Sequence, residues 1–98
     1  MTSVDFNAIA KTLPSAWRSV VVGKVGAANI KVLRMDEQPY AEETHDYNEG
    51  LLVLDGELLL QVGQAQVVVK AGQMYLAQAG TAHAVLPGSH GTLVIIDV

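Results

Sequence analysis

The chain contains no cysteine among its 98 residues, which excludes disulfide bonds, zinc-thiolate sites and cysteine nucleophiles. Any bound metal ion must therefore use nitrogen and oxygen ligands. No apolar run approaches the roughly 18 residues of a membrane span, and the N-terminal residues lack a charged start followed by an apolar stretch. We therefore expect no membrane partner and a cytoplasmic location.

Positive charge is missing from the middle of the chain. There is no lysine or arginine between Arg34 and Lys70, whereas eight of the ten acidic residues lie there. A segment of this sign repels nucleic-acid phosphates and attracts cations. We therefore expect no nucleic-acid partner, although most of these acids suit solvated loops between strands.

Charged residues are also few overall, at 16%, while half of the residues are hydrophobic. A chain of this length has a large surface for its volume, so its stability margin is small unless further apolar area is buried. The sequence therefore predicts a homodimer. Trp17 is interpreted as a packing or subunit-contact residue rather than a ligand-stacking one.

One short helix is predicted over residues 5–13, with Ser3 or Asp5 as its N-cap and Pro14 at its end. The β-branched runs that follow, separated by glycine turns, predict about eight antiparallel strands and hence an all-β sandwich or barrel. Asp55-Gly56 predicts a two-residue hairpin. The predicted strands are residues 17–22, 29–35, 49–54, 57–62, 65–69, 73–77, 82–86 and 92–98.

Two stretches contain the candidate metal ligands. Glu43 and His45 are two residues apart, so on a strand they project from the same face, and a turn over residues 46–48 brings Glu49 back beside them. His83 follows a turn and would have to reach them through the fold. His45, Glu49 and His83 alone form a two-histidine, one-carboxylate set with open coordination positions. Glu43 is either a fourth ligand or faces solvent.

These two stretches resemble the two motifs of the cupin family. In the first motif, G-x5-H-x-H-x3-4-E-x6-G, His45 takes the second histidine, Glu49 the glutamate and Gly56 the closing glycine. In the second, G-x5-P-x-G-x2-H-x3-N, the matching residues are Gly72, Gly80 and His83. Four positions depart from the motifs: Glu37 for the opening glycine, Glu43 for the first histidine, Gln78 for the proline and Pro87 for the asparagine.

The resemblance is to small, RmlC-like conserved barrels. It implies an all-β fold, an antiparallel double-stranded β-helix or jelly-roll barrel, as one domain over residues 1–98, with an N-terminal helical segment at 1–15 and the motif region at 43–87. It also implies a divalent metal ion, iron, manganese, nickel or zinc, inside the barrel. The ligands that it implies are Glu43, His45, Glu49 and His83.

Three kinds of function are compatible with this resemblance. The first is a metal-dependent protein acting on a small molecule, of oxygenase or isomerase type. The second is a metal-free module with a degenerate site that binds a small ligand or serves as an interaction domain; a structural dimer is a third. Tyr47 is placed at the mouth of the site or in an ordinary turn, and His90 in an exposed loop without function. The substrate and the identity of the metal are not encoded in these motifs.

Overall fold

The computed structural model describes residues 3–98, in which one short helix precedes eight strands. Asp5 caps the helix, because its carboxylate accepts a hydrogen bond of 3.0 Å from the backbone N–H of Ala8. The predicted helix is therefore confirmed. The elements are α1 (Phe6–Thr12), β1 (Val20–Val25), β2 (Ala28–Asp36), β3 (Tyr40–Glu43), β4 (Glu49–Val62), β5 (Ala65–Lys70), β6 (Met74–Ala77), β7 (His83–Val85) and β8 (His90–Asp97).

All strand pairs are antiparallel, and the sheet runs in the order β1-β2-β8-β4-β7-β3. The first half of β4 pairs with β6 and the second half with β5, while β8 lies along its other side. The long strand β4 thus pairs with different strands along its first and second halves. The sheet curls around an interior, as expected for the predicted barrel.

The interior is filled by side chains that point inward from alternate strand positions. They form one cluster of buried residues: Leu33, Met35, Leu51, Val53, Leu58, Leu60, Val69 and Leu93. Val32 and Val94 pair with each other on the outward face and are also buried, since α1 packs against β2, β8 and β4 there. Within residues 3–98 no helix is long and apolar enough to cross a membrane.

The hairpin predicted at Asp55-Gly56 is wrong. The chain does not reverse there, and β4 continues through it with a register shift against β8 between Val53 and Asp55. Gly56 has the positive φ that the dipeptide indicated, at 76°, and it faces Gly91, whose φ is 100°. The same backbone freedom that permits a tight turn here permits a bend within a strand.

Three further differences concern strand boundaries. The first strand begins at Val20 instead of Trp17, whose φ of 64° is incompatible with an extended strand. β3 was not predicted. The Gly63 turn joins paired strands as expected, but β5 and β6 on either side of Gly72 both pair with β4 rather than with each other. Eight strands therefore result, although not the eight that were predicted.

Candidate metal centre

The fold brings the four predicted ligands together at one end of the interior. Glu43 at the end of β3 and His83 at the start of β7 are partners in the antiparallel register. Glu49 is the first residue of β4, and His45 lies in the connection that leads from β3 to β4. Residues separated by up to 40 positions in the chain are thus neighbours in space.

The side-chain atoms of this group converge on one region. His45 Nε2 lies 3.4 Å from Glu43 Oε2 and 3.9 Å from Glu49 Oε1, and His83 Nε2 lies 3.7 Å from Glu49 Oε1. One ligand atom from each of Glu43, His45 and His83 lies within 4.8 Å of the other two. Ligands that share an ion at bond lengths near 2.1 Å lie roughly 3 to 3.5 Å apart, so an ion bound by this group would require its side chains to move closer together.

His45 Nε2 is buried and has no hydrogen-bond partner in the described structure. Buried polar atoms are rarely left in this state, and a bound cation is one way to satisfy a ring nitrogen. His83 is oriented differently: its Nδ1 lies 3.2 Å from the carbonyl oxygen of Thr81. If Nδ1–H donates to that carbonyl, the lone pair of Nε2 faces Glu49 and is free for an ion.

The electrostatics of Glu49 follow from its burial. Desolvation raises the pKa of its carboxyl above the ordinary value of 4.5, and the nearby Glu43 and Asp97 act in the same direction, while His45 and His83 lower it. A divalent cation held by these residues would compensate for this unfavourable burial of charge. The residues present therefore fit a metal ion.

A cavity of about 250 Å³ opens beside this group. Trp17 and Tyr40 lie on its wall with ring centroids 5.9 Å apart, and Tyr47 stacks on His45 at 5.0 Å. Lys31 also reaches the cavity, where its Nζ lies 2.7 Å from the buried Asp97 carboxylate. The rest of the lining is Ser19 and a set of apolar residues: Leu33, Leu51, Leu58, Leu60, Val85, Leu93 and Ile95.

Several of these cavity residues were missed by sequence reasoning. Lys31 shares the inward face of β2 with Leu33, and Asp97 shares that of β8 with Leu93, so each is a charge beside an apolar residue on the same face. That alternation was the available signal. Trp17, interpreted as a packing or subunit contact, packs against the core and also lines the cavity.

The two remaining sequence predictions concern Tyr47 and His90. Tyr47 lies in the cavity lining beside His45, in agreement with the first of the two places considered for it. His90 begins β8, is exposed and is not among the lining residues. Its Nδ1 lies 3.1 Å from the carbonyl oxygen of Gly88. Its expected place in a loop is therefore wrong, although its exposure is as expected.

The sequence profile of the cupin domain family matches residues 33–98, about two thirds of the chain. The chain belongs to the cupin family. This confirms the resemblance that the motifs indicated. No curated protein is significantly similar in sequence.

Several solved structures have the same fold as this chain. A cupin-2 domain protein from Shewanella frigidimarina is 21% identical, with 95% of this chain and 91% of that chain covered and a TM-score of 0.86. Protein NMB1881 from Neisseria meningitidis is 13% identical, with 98% of each chain covered and a TM-score of 0.84. Hydroquinone 1,2-dioxygenase PnpCD, in complex with Cd²⁺ and 4-hydroxybenzonitrile, is 18% identical, with 100% of this chain and 78% of that chain covered and a TM-score of 0.78.

Proposed function

We propose that this cupin binds one divalent metal ion through Glu43, His45, Glu49 and His83 and uses it on a small molecule held in the adjacent cavity. The observation that carries the proposal is the buried His45 Nε2, which faces two carboxylates and has no hydrogen-bond partner in the described structure. A structural role would normally provide a ring nitrogen with such a partner.

The donor chemistry limits the identity of the ion. Two imidazoles and two carboxylates suit iron, manganese, nickel or zinc, and the second carboxylate favours the harder ions, manganese above all. When bound, the ion supplies a Lewis acid with coordination positions open to substrate or oxygen. Oxygenase and isomerase reactions are the classes that we propose. The Cd²⁺ bound by the structurally similar dioxygenase supports an ion in this fold.

The residues around the ligands prepare the cavity for a small molecule. Tyr47 stacks on the His45 ring and restricts its orientation. The leucine side chains of the barrel interior keep that side of the cavity apolar, which limits competing water. The chain's own residues thus orient the His45 ring and provide an apolar surface beside the proposed ion.

The first prediction tests the ligand set. His45→Ala and His83→Ala should each lose most of the bound metal, because each variant removes one nitrogen donor and leaves three of the four proposed ligands. The measurement is elemental analysis of protein purified without chelator. His90→Ala is the matched control, since His90 is exposed and outside the cavity. Unchanged metal content in both ligand variants would refute the proposed centre.

The second candidate function is a metal-free module that binds a small ligand. It is favoured by Glu43, which replaces the first motif histidine and whose side chain is 44% exposed. This alternative would be established if the purified protein contains no metal and its melting temperature does not rise when Mn²⁺, Fe²⁺, Ni²⁺ or Zn²⁺ is added.

We also propose a homodimer. β1 lies at an edge of the sheet, and three of its valines, Val20, Val21 and Val25, are exposed. An apolar edge strand is a natural site for pairing with a second chain. A cytoplasmic location stays a prediction.

A further inference from the structure

The cavity contains an ion pair that the proposed metal centre does not use. Asp97 is only 5% exposed and accepts hydrogen bonds from Lys31 Nζ at 2.7 Å and from Asn29 Nδ2 at 3.3 Å. Both bonds cross from β8 to β2. Since Gly50 pairs with Ile96, Glu49 and Asp97 occupy neighbouring inward positions on β4 and β8. The ion pair therefore lies next to the proposed ligands.

The Lys31 ammonium has unused donor capacity. It carries three N–H donors, and within residues 3–98 Asp97 is its one hydrogen-bond acceptor. Its side chain is 25% exposed and lines the cavity. A buried ion pair seldom stabilises a fold more than apolar residues of equal volume, so stability alone gives little reason for a lysine at this position. An acceptor supplied by a ligand would use the remaining donors.

The charges of the lining indicate which ligands fit. Three carboxylates, from Glu43, Glu49 and Asp97, face one ammonium, so the cavity is negative when the histidines are neutral. A divalent ion would bring the sum to zero. An anionic ligand would then add uncompensated charge to a largely apolar cavity, whereas an uncharged ligand would not.

The shape and chemistry of the walls indicate a flat, small molecule. Trp17, Tyr40 and Tyr47 are three of the five aromatic residues in the chain, and all three line this cavity. Aromatic rings pack well against such side chains. The volume of about 250 Å³ corresponds to about eight water molecules at roughly 30 Å³ each. A single substituted ring is therefore of suitable size.

We propose that Lys31 is a ligand-binding residue that donates to the carbonyl oxygen of an uncharged hydroxyaryl carbonyl compound, whose hydroxyl lies toward the metal ligands. The inference rests on the proposed function, because the charge balance requires the ion. Lys31 discriminates among ligands in this arrangement, and the hydroxyl end is held by the metal centre.

The test compares three probes that share one ring: 4-hydroxybenzamide, which is uncharged and has the carbonyl; 4-hydroxybenzoate, its anionic counterpart; and phenol, which lacks the acceptor. Their affinities for the Mn²⁺-loaded protein are measured by calorimetry. We expect 4-hydroxybenzamide to bind about tenfold more tightly than phenol, which is the effect of one hydrogen bond from a charged donor. We expect 4-hydroxybenzoate to bind more weakly than 4-hydroxybenzamide.

Variants then assign the effect to Lys31. Lys31→Met keeps an unbranched side chain of nearly the same length but removes the ammonium. It should lower the affinity for 4-hydroxybenzamide about tenfold and leave the affinity for phenol unchanged. Because this variant leaves Asp97 with only Asn29, a second variant combines Lys31→Met with Asp97→Leu. That pair removes one charge of each sign, so the charge sum is kept, and the same loss is expected. Melting curves verify that both variants fold.

The outcomes separate the two proposals. Metal content of the same samples reports on the metal centre alone, and its absence would overturn both. Normal metal content with equal binding of 4-hydroxybenzamide and phenol, or with no probe bound, would overturn the role of Lys31 and leave the metal centre intact. Tighter binding of 4-hydroxybenzoate than of 4-hydroxybenzamide would overturn the uncharged class of ligand.

Discussion

Glu49 is the more deeply buried of the two proposed carboxylate ligands, with a side chain 10% exposed against 44% for Glu43. Burial raises the pKa of Glu49, so the folded apo protein holds a proton there more tightly than the unfolded chain does. The stabilisation from this group is present below the unfolded pKa and is lost as pH rises through the folded value. Ion binding has the opposite requirement, since it needs the carboxylate.

The second prediction follows from this sign. The gain in melting temperature from Mn²⁺ should increase as pH rises from the ordinary carboxyl value of 4.5 through the raised pKa of Glu49. Glu49→Gln should bind the ion more weakly and show a shallower pH dependence, while Glu42→Gln, on the same stretch but exposed, should match the parent. Melting curves with and without Mn²⁺ over a pH series provide the measurement. An unchanged slope in Glu49→Gln would contradict the assignment.

The bend in β4 depends on two glycines that face each other. A Cβ on Gly56 would lie 2.0 Å from the carbonyl oxygen of His90, and one on Gly91 would lie 2.0 Å from the carbonyl oxygen of Asp55. Both contacts are with backbone atoms of the opposing strand, which cannot rotate away. The close approach of β4 and β8 therefore needs glycine on both strands.

The third prediction tests this crossing. Gly56→Ala should lower the free energy of unfolding by roughly 3 kcal/mol or more, because the backbone clash adds to the cost of positive φ. Gly63→Ala is the matched control, since its φ is 59° but nothing lies within 4 Å of an added Cβ. It should cost about 1 kcal/mol. Equal costs in chemical denaturation would argue against the crossing.

How far the sequence predicts this molecule depends on the distance over which each feature is encoded. The spacing of His45, Glu49 and Gly56 lies within one segment, so it could be matched to the first cupin motif, and the ligand set came from that resemblance. Lys31 and Asp97 meet only because β2 pairs with β8, and no local pattern contains that pairing. Gly56 shows a different limit, because its positive φ was predictable but its use in a bend depends on β8.

The proposed homodimer needs an exposed apolar surface that a second chain can cover. Among the described strands, β1 pairs on one side only, and Val21 and Val25 on it are 55% and 72% exposed. Trp17, interpreted from the sequence as a packing or subunit contact, lies against Tyr40 and donates from its ring N–H to Asp36 within its own chain. We therefore place the contact on the valines of β1.

The fourth prediction is that light scattering at micromolar concentration gives about twice the chain mass of 10.4 kDa. Val21→Lys combined with Val25→Lys should yield a folded monomer. The dimer should dissociate because two ammonium groups would have to be desolvated in the contact, and the fold should persist because both substituted side chains face solvent. Val68→Lys, which alters a 49% exposed valine on β5, should remain dimeric. If Val68→Lys gives a monomer and the β1 variant does not, the interface lies at β5 and not at β1. A parent protein that is monomeric and folded on dilution would show that the valines of β1 are simply solvent-exposed.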